Sequence, residues 1–173
     1  MTQNTYSAPN RLGRVLWWTV YASLFRYSPR PLHRWRSFLL RCFGARLGTG
    51  CHIYASAKIW APWNLECGSW ACISNDAEIY NPVKVMLGEG AVVSQGAFLC
   101  AASHDYRDPA FPVIHGVIVV GNKAWVAARA IVLMGVTIGE GSVIGAGSVV
   151  TNDVPSHTVC AGNPARVVKK ISR

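Results

Sequence analysis

A lone histidine, His104, stands where the sequence interrupts an otherwise regular pattern of aliphatic residues. The interruption is the segment LCAASHDYRDPAFPV, residues 99–113, and aliphatic residues recur every six positions on both sides of it. Histidine gains and loses a proton near neutral pH, so it can serve as a general acid or base and as a metal ligand. A histidine in a surface loop can equally have no chemical role.

The pattern on both sides of His104 is a six-residue repeat. From Leu47 the chain reads LGTGCH, IYASAK, IWAPWN and LECGSW, and the register then becomes irregular over residues 71–86. It resumes from Leu87 as LGEGAV, VSQGAF and LCAASH, and from Val120 as VGNKAW, VAARAI, VLMGVT, IGEGSV, IGAGSV and VTNDVP. The first position of each repeat is Leu, Ile or Val. A period of six with many β-branched residues and glycines argues against helices and predicts a parallel β-helix with three strands per coil.

The composition is that of one domain with a real core. The chain has 173 residues, of which 51% are hydrophobic and only 14% are charged. So few charges indicate that part of the surface is covered, in an oligomer or at a membrane. The six cysteines form no CxxC pair and no metal-finger spacing, which favours free thiols in a cytosolic protein.

The net charge of +9 is confined to the first third of the chain. Residues 1–65 contain eight arginines, one lysine and no acidic residue, whereas residues 66–173 contain eight basic and eight acidic residues. The main body is therefore close to neutral, and we expect it not to bind nucleic acid.

The N-terminal segment, residues 1–45, is predicted to be helical and distinct from a main body at 46–173. Residues 11–27 read as one helix, and a second begins at Pro31 and stops near Gly44. The apolar run at 15–25 is shorter than the ~20 residues that span a bilayer, and no signal peptide is recognisable. Two interpretations remain open. The helices pack on the main body, or residues 11–43 also form a basic amphipathic contact with an anionic membrane.

Two stretches carry a resemblance to a known family. Residues 138–171, IGEGSVIGAGSVVTNDVPSHTVCAGNPARVVKKI, resemble the C-terminal signature of the hexapeptide-repeat acyltransferases. Residues 80–113 and the PLHRWRSFLLRCFGA segment resemble the branch of O-acetyltransferases in colanic acid and other exopolysaccharide biosynthesis. The resemblance covers nearly the whole chain after residue 10. It implies an all-β, left-handed parallel β-helix with an N-terminal helical segment and a short C-terminal tail at 161–173. It also implies a homotrimer with active sites between neighbouring subunits.

The resemblance implies transfer of an acetyl group from acetyl-CoA to a sugar hydroxyl, in the cytoplasm or at the inner face of the membrane. The acceptor is a sugar or a lipid-linked glycan. In this family a histidine ends a coil before a loop, and His104 occupies that position before a loop excursion at 105–119. A neutral imidazole accepts the hydroxyl proton during direct attack on the thioester and returns it to the leaving thiolate, without an acyl-enzyme.

The same resemblance assigns further residues to binding. Substrate contacts are expected from Asn75, Asn81, Asp105, Tyr106 and Arg107, although both asparagines also suit turns. Acetyl-CoA contacts are expected along the later coils. The backbone of Ala128 and Ala146 would meet the pantetheine arm, Thr151 and Asn152 would lie near its far end, and Arg166 and Lys169 would meet the phosphates and adenine. The family often has lysine at the position of Asn152, and the two basic residues could equally belong to a solvated tail.

Alternatives to this function remain at the level of sequence. The acceptor could be an antibiotic, a serine or an amino sugar, and a non-catalytic β-helix scaffold would share the repeat. A zinc site would require three histidines facing one groove, and only His104 is well placed, so no metal is expected. His115 is interpreted as structural or solvent-facing.

Overall fold

The first elements of the chain are helical. The computed structural model describes residues 7–172, so residues 1–6 of the N-terminal segment and Arg173 of the tail lie outside the described part. Helix α1 covers Ala8–Val20, a π-helical turn covers Tyr21–Phe25, and helix α2 covers His33–Cys42. No helix in the described range is long and apolar enough to cross a membrane.

The first helix was predicted at residues 11–27 and the second was predicted to begin at Pro31. Both helices have other boundaries in the structure. Helix α1 begins earlier because the Ser7 hydroxyl accepts a hydrogen bond from the Asn10 backbone N–H at 3.4 Å and caps the helix. Helix α2 begins later than Pro31, because the Pro29 and Pro31 carbonyls first close turns with the N–H groups of Leu32 and His33.

Nineteen short strands follow α2 in the described chain. The first coil contains β1 (Arg46–Leu47), β2 (His52–Ile53) and β3 (Lys58–Ile59). The second contains β4 (Leu65–Cys67), β5 (Cys72–Ile73) and β6 (Glu78–Tyr80), and the third contains β7 (Val85–Leu87), β8 (Val92–Val93) and β9 (Phe98–Cys100). An excursion contains β10 (Ala102–His104) and β11 (Val113–His115). The fourth coil contains β12 (Ile118–Val120), β13 (Trp125–Val126) and β14 (Ile131–Leu133), and the fifth contains β15 (Thr137–Ile138), β16 (Val143–Ile144) and β17 (Val149–Val150). The chain ends with β18 (Thr158–Gly162) and β19 (Ala165–Lys170).

The strands of successive coils stack into three parallel sheets. Face A has the order β1-β4-β7-β12-β15, face B has β2-β5-β8-β13-β16-β18, and face C has β3-β6-β9-β14-β17. We name the corners AB, BC and CA after the faces they join, in chain order. The predicted parallel β-helix is confirmed. The predicted tail at 161–173 is largely a strand, since β19 pairs antiparallel with β18 at the edge of face B.

The stretch that looked irregular in sequence is a regular coil of another length. Partners on face B are 20 residues apart in the early coils (His52 and Cys72) and 18 apart in the later ones (Trp125 and Val143). The two additional residues lie at corner CA, where five residues separate the buried Ile59 and Leu65, whereas three separate the buried Val132 and Val136 of the later coils. The six-residue period therefore continues in each longer coil after two inserted residues.

The core is a column of aliphatic side chains along the coil axis. On face B the column runs through Ile53, Ile73, Val93, Val126 and Ile144, all fully buried. Full burial of one such side chain contributes about 1.5–3 kcal/mol relative to exposure. Because each coil covers the residues of the next, no coil can bury its aliphatic residues alone.

Glycines at corner AB allow the coils to approach each other. A Cβ atom on Gly68 would lie 2.5 Å from the Glu89 backbone nitrogen, and one on Gly121 would lie 2.7 Å from the Glu140 nitrogen. Such contacts are too short for any side chain, so the second position of these repeats is restricted to glycine by the next coil.

The N-terminal helices cap the open end of the first coil. Strands β1, β2 and β3 are edge strands, and their outward carbonyls have no coil beneath them. The Arg41 guanidinium donates to Leu47 O at 3.0 Å, Arg36 Nε donates to Ile53 O at 2.6 Å, and Trp17 Nε1 donates to Ile59 O at 2.7 Å. At least one carbonyl of each edge strand thus has a side-chain donor, which opposes pairing with another chain.

Asn81 holds two coils together at corner CA. Its side chain is fully buried, its Oδ1 accepts from the Ala61 N–H at 2.9 Å, and its Nδ2 donates to Ala61 O at 2.8 Å. Both polar atoms of the amide are therefore paired with one backbone residue of the coil below.

We predict that Asn81→Ala lowers the free energy of unfolding by at least about 2 kcal/mol, because the buried Ala61 N–H and C=O lose their partners. The matched control is Asn75→Ala at an exposed position, which should cost less than about 0.5 kcal/mol. Denaturant unfolding of both variants tests this. An equal loss in both would contradict the structural role of Asn81.

A second prediction concerns pH. Burial of His33 lowers the pKa of its imidazole, and the charge of Arg36 lowers it further, against the opposing hydrogen bond to Ile53 O. The unfolded chain therefore binds this proton more tightly than the folded protein does. Stability should fall as pH falls below the ordinary histidine value of about 6.5, until the lowered pKa of the folded state is passed.

Thermal unfolding between about pH 7.5 and about pH 5.5 measures this dependence. In His33→Gln the decline over this range should be smaller than in the wild type. An unchanged slope in the variant would show that His33 does not carry the effect.

Candidate functional site

The excursion that interrupts the repeat is an antiparallel hairpin at corner CA. Strands β10 and β11 pair with Ala102 opposite His115 and His104 opposite Val113. The excursion runs from residue 101 to 117, so it starts earlier and ends earlier than the predicted 105–119. His104 is the last residue of β10 and therefore stands at the entrance to the hairpin loop.

The hairpin loop is held by its own aspartates. The Asp105 carboxylate accepts from the Arg107 N–H at 3.0 Å, and the Asp108 carboxylate accepts from the Ala110 N–H at 2.8 Å. The Asp105 N–H donates to Pro112 O at 2.9 Å, which closes the loop across its base. One Asp105 oxygen is thus committed to the turn, which fixes the backbone that follows His104.

The orientation of the His104 ring is set by Phe111. The two rings are stacked with centroids 4.4 Å apart and an angle of 9° between their planes. His104 Nδ1 lies 3.0 Å from the Phe111 carbonyl oxygen. Because a carbonyl can only accept, Nδ1 carries the proton and donates it, and the neutral ring keeps its lone pair on Nε2. The partly exposed imidazole is therefore arranged as a base through Nε2.

Phe111 is the residue of this site that the sequence analysis missed. Its backbone has a φ of 47°, in the left-handed region, which aims its carbonyl at His104. The signal available in the sequence was the aromatic residue directly before Pro112. Its partner lies seven positions away, and only the register of the hairpin joins the two.

The predicted substrate residues do not form one cluster within the chain. Tyr106 and Arg107 project from the hairpin tip, where Tyr106 is 76% exposed and the Arg107 guanidinium lies 5.6 Å from its ring centroid. Asn75 is exposed at corner BC, where its Oδ1 accepts from the Ser56 hydroxyl at 3.1 Å. Asn81 lies at corner CA beneath the hairpin, but both side-chain atoms are paired with Ala61. This arrangement leaves Asn81 no free group for a substrate.

The predicted acetyl-CoA residues divide between two corners and a strand. Ala128 and Ala146 stack at corner BC, where the Gly147 N–H donates to Ala128 O at 2.9 Å. Thr151 and Asn152 lie at corner CA, where Asn152 Nδ2 donates to Thr151 Oγ1 at 2.9 Å.

Arg166 and Lys169 lie on β19, and both are exposed. Arg166 lines a shallow pocket of about 210 Å³ together with Asn152 and Asp153. The pocket joins β19 to the end of the fifth coil. Within one chain, face C separates corner BC from corner CA. The described chain therefore brings Asn152 close to Arg166, but it does not bring either of them to Ala128 and Ala146.

The remaining histidines do not share one environment. The rings of His33 on α2 and His52 on β2 stack with centroids 4.8 Å apart, His115 lies on β11, and His157 follows β17 at corner AB. Within residues 7–172, no three His, Cys, Asp or Glu side chains are arranged to hold one metal ion.

The sequence and fold are similar to those of known proteins. Residues 117–152 match the family described as bacterial transferase hexapeptide (six repeats). The chain is 43% identical over 161 residues to the "Putative colanic acid biosynthesis acetyltransferase WcaF" of Escherichia coli K12, covering 93% of this chain and 88% of that protein.

Two solved structures share the whole architecture. A hexapeptide-repeat acetyltransferase of Vibrio cholerae in complex with acetyl coenzyme A has a TM-score of 0.87 and 25% identity, covering 96% of this chain and 91% of that one. A maltose O-acetyltransferase of Clostridium difficile has a TM-score of 0.86 and 25% identity, covering 96% of this chain and 90% of that one. The chain therefore belongs to the hexapeptide-repeat transferases of bacteria, as one of their acetyltransferases.

Proposed function

We propose that the protein transfers an acetyl group from acetyl-CoA to a sugar hydroxyl, with His104 as the general base. The observation that carries the proposal is the hydrogen bond from His104 Nδ1 to Phe111 O, which leaves Nε2 as the proton acceptor. The acetyl-CoA complex of the Vibrio protein supports the donor. The names of the WcaF and maltose relatives support a carbohydrate acceptor, here in exopolysaccharide biosynthesis.

In this mechanism His104 Nε2 removes the hydroxyl proton while the oxygen attacks the thioester carbonyl. The tetrahedral oxyanion then collapses and the C–S bond breaks. The imidazolium returns its proton to the departing thiolate, so that CoA leaves as a thiol and the acetyl ester remains on the sugar. The Phe111 carbonyl accepts from Nδ1–H throughout and stabilises the positive charge that develops on the ring.

A homotrimer would bring the two corners together. Among the outward residues of face C in coils three to five, Phe98, Ile131 and Val149 stack in register and are partly exposed. If three copies pack these flat apolar faces around one axis, corner BC of each copy meets corner CA of the next. Packing through face A or face B would instead place corner AB at the junction.

The proposed site is therefore shared between neighbours. Ala128 and Ala146 of one copy would line the groove opposite the hairpin of the next, whose His104, Tyr106 and Arg107 would reach acetyl-CoA and acceptor. Thr151, Asn152, Arg166 and Lys169 would hold the far end of the CoA molecule from the second copy. Asn75 stays a candidate for acceptor contact at corner BC. Acetyl-CoA and nucleotide- or lipid-linked sugars are made in the cytoplasm, where we propose that the protein works.

The catalytic role is tested by His104→Ala, with His115→Ala on the paired strand as the matched control. We expect kcat to fall by about 10²–10⁴-fold in His104→Ala, because the base is lost, while acetyl-CoA affinity is kept. His115→Ala should retain activity. The measurements are thiol release from acetyl-CoA with a panel of sugars and calorimetric binding of acetyl-CoA. Full activity of His104→Ala on a good acceptor would exclude this mechanism.

The assembly is tested by a pair of substitutions in the fifth coil. Val149 faces outward on face C and Val143 faces outward on face B, and both are partly exposed. A buried carboxylate at the trimer axis is strongly unfavourable, so Val149→Asp should yield monomers, whereas Val143→Asp should remain trimeric. Sedimentation velocity distinguishes these results. A trimeric Val149→Asp protein, or a monomeric wild type, would rule out packing on face C.

A further inference from the structure

The outer surface of the helical cap is unusually apolar. Leu12, Val15 and Leu16 form a stripe along α1 and are 62%, 64% and 53% exposed. The opposite side of the helix is buried, with Trp17 fully enclosed against the first coil. Helix α1 thus has two apolar faces, of which the β-helix covers only one.

The polar residues in the α1 stripe have no hydroxyl hydrogen left to offer. Thr19 Oγ1 donates to Val15 O at 3.0 Å, and Ser23 Oγ donates to Thr19 O at 2.7 Å. Each hydroxyl is satisfied by the carbonyl one turn earlier, a bond that does not depend on water. Thr19 and Ser23 are therefore compatible with an apolar environment, like the aliphatic residues of the stripe.

Helix α2 extends the same surface. Trp35 Nε1 donates to Leu24 O at 3.2 Å, which fastens α2 to the end of the first helix. The rings of Trp35 and Phe38 stack with centroids 5.8 Å apart, and Phe38 is 53% exposed. We call the surface formed by Leu12, Val15, Leu16, Leu24, Trp35 and Phe38 the cap face.

The charged residues of the helical segment that forms the cap face are all basic. Arg26, Arg30 and Arg34 are exposed beside it, and no acidic residue occurs among residues 7–65. Two copies of this chain that met through their cap faces would bring arginines against arginines, which opposes such a dimer. An anionic surface has the opposite charge, and amphipathic arginine and tryptophan side chains suit the boundary between lipid headgroups and acyl chains.

We propose that the cap face docks the protein onto an anionic lipid bilayer, lying in the plane of the interface. The helices are too short to span it, so the contact is peripheral. If the proposed trimer forms, its axis runs parallel to the axis of the β-helix, and all three cap faces lie at one end. The three contacts would then act together, and the combined affinity would exceed that of a single cap face.

The test is co-sedimentation of the full-length protein with vesicles of equal parts phosphatidylglycerol and phosphatidylcholine, compared with phosphatidylcholine alone. The wild type should bind the anionic vesicles preferentially and should release as salt is raised, since screening weakens the attraction. Val15→Glu should lower the partition coefficient by roughly tenfold or more, because an apolar contact is replaced by a charge of the wrong sign.

The matched control is Val168→Glu, since Val168 is also 64% exposed but lies on β19 at the opposite end of the molecule. It should bind vesicles as the wild type does. Circular dichroism of both variants verifies that they fold. The proposal is overturned if the wild type shows no preference for anionic vesicles, or if both variants bind equally.

Sedimentation of the same proteins without lipid tests whether a second copy of this chain, and not a membrane, covers the cap face. If the wild type forms a larger assembly than Val15→Glu does, a second copy of the chain covers the cap face. That result would also overturn the proposal. Because none of these readouts uses acetyl transfer, they are independent of the proposed reaction.

Discussion

In a parallel solenoid, every strand pairs its N–H groups and carbonyls with the coil above or below, and any strand without such a neighbour must be satisfied in another way. This constraint explains the departures from the repeat. At the beginning, Arg41, Arg36 and Trp17 each donate to one carbonyl of an edge strand. In the middle, the excursion pairs with itself as β10 and β11. At the end, β19 folds back and covers β18.

The same constraint accounts for the geometry at the interruption. A chain that leaves the coil must form its own hydrogen bonds, so it forms a hairpin, and the hairpin places the Phe111 carbonyl beside His104. That carbonyl selects the tautomer and holds the ring, while stacking on Phe111 limits its rotation. The interruption of the repeat and the presence of histidine thus have a common explanation. The hairpin outside the solenoid places the Phe111 carbonyl where it accepts from His104 Nδ1. This hydrogen bond leaves Nε2 as the proton acceptor.

Part of the fold and of the candidate site could be predicted from the sequence. The repeat predicted the fold because the aliphatic position of each hexapeptide has one environment, the core. His104 became a candidate because it stands at the interruption of that pattern, and its proposed role came from the family resemblance. The 20-residue coils were hidden, since the two additional residues at corner CA, between Ile59 and Leu65, look like a loss of register. Asn81 looked like a ligand residue because a buried asparagine that pairs with backbone cannot be told from an exposed one by sequence. The contact of Phe111 with His104 depends on hairpin register, which neighbouring residues do not encode.

The central claim is that the hairpin of one copy and corner BC of the next form one active site. Mixed trimers test it most directly. His104→Ala removes the base, and Ala146→Trp obstructs the groove at exposed corner BC, so that each protein alone should be inactive. Co-expression of the two should restore acetyl transfer, because some junctions then combine an intact hairpin with an intact corner. Mixed trimers that form but stay inactive would show that both elements must come from the same chain, and would contradict a site shared between neighbours.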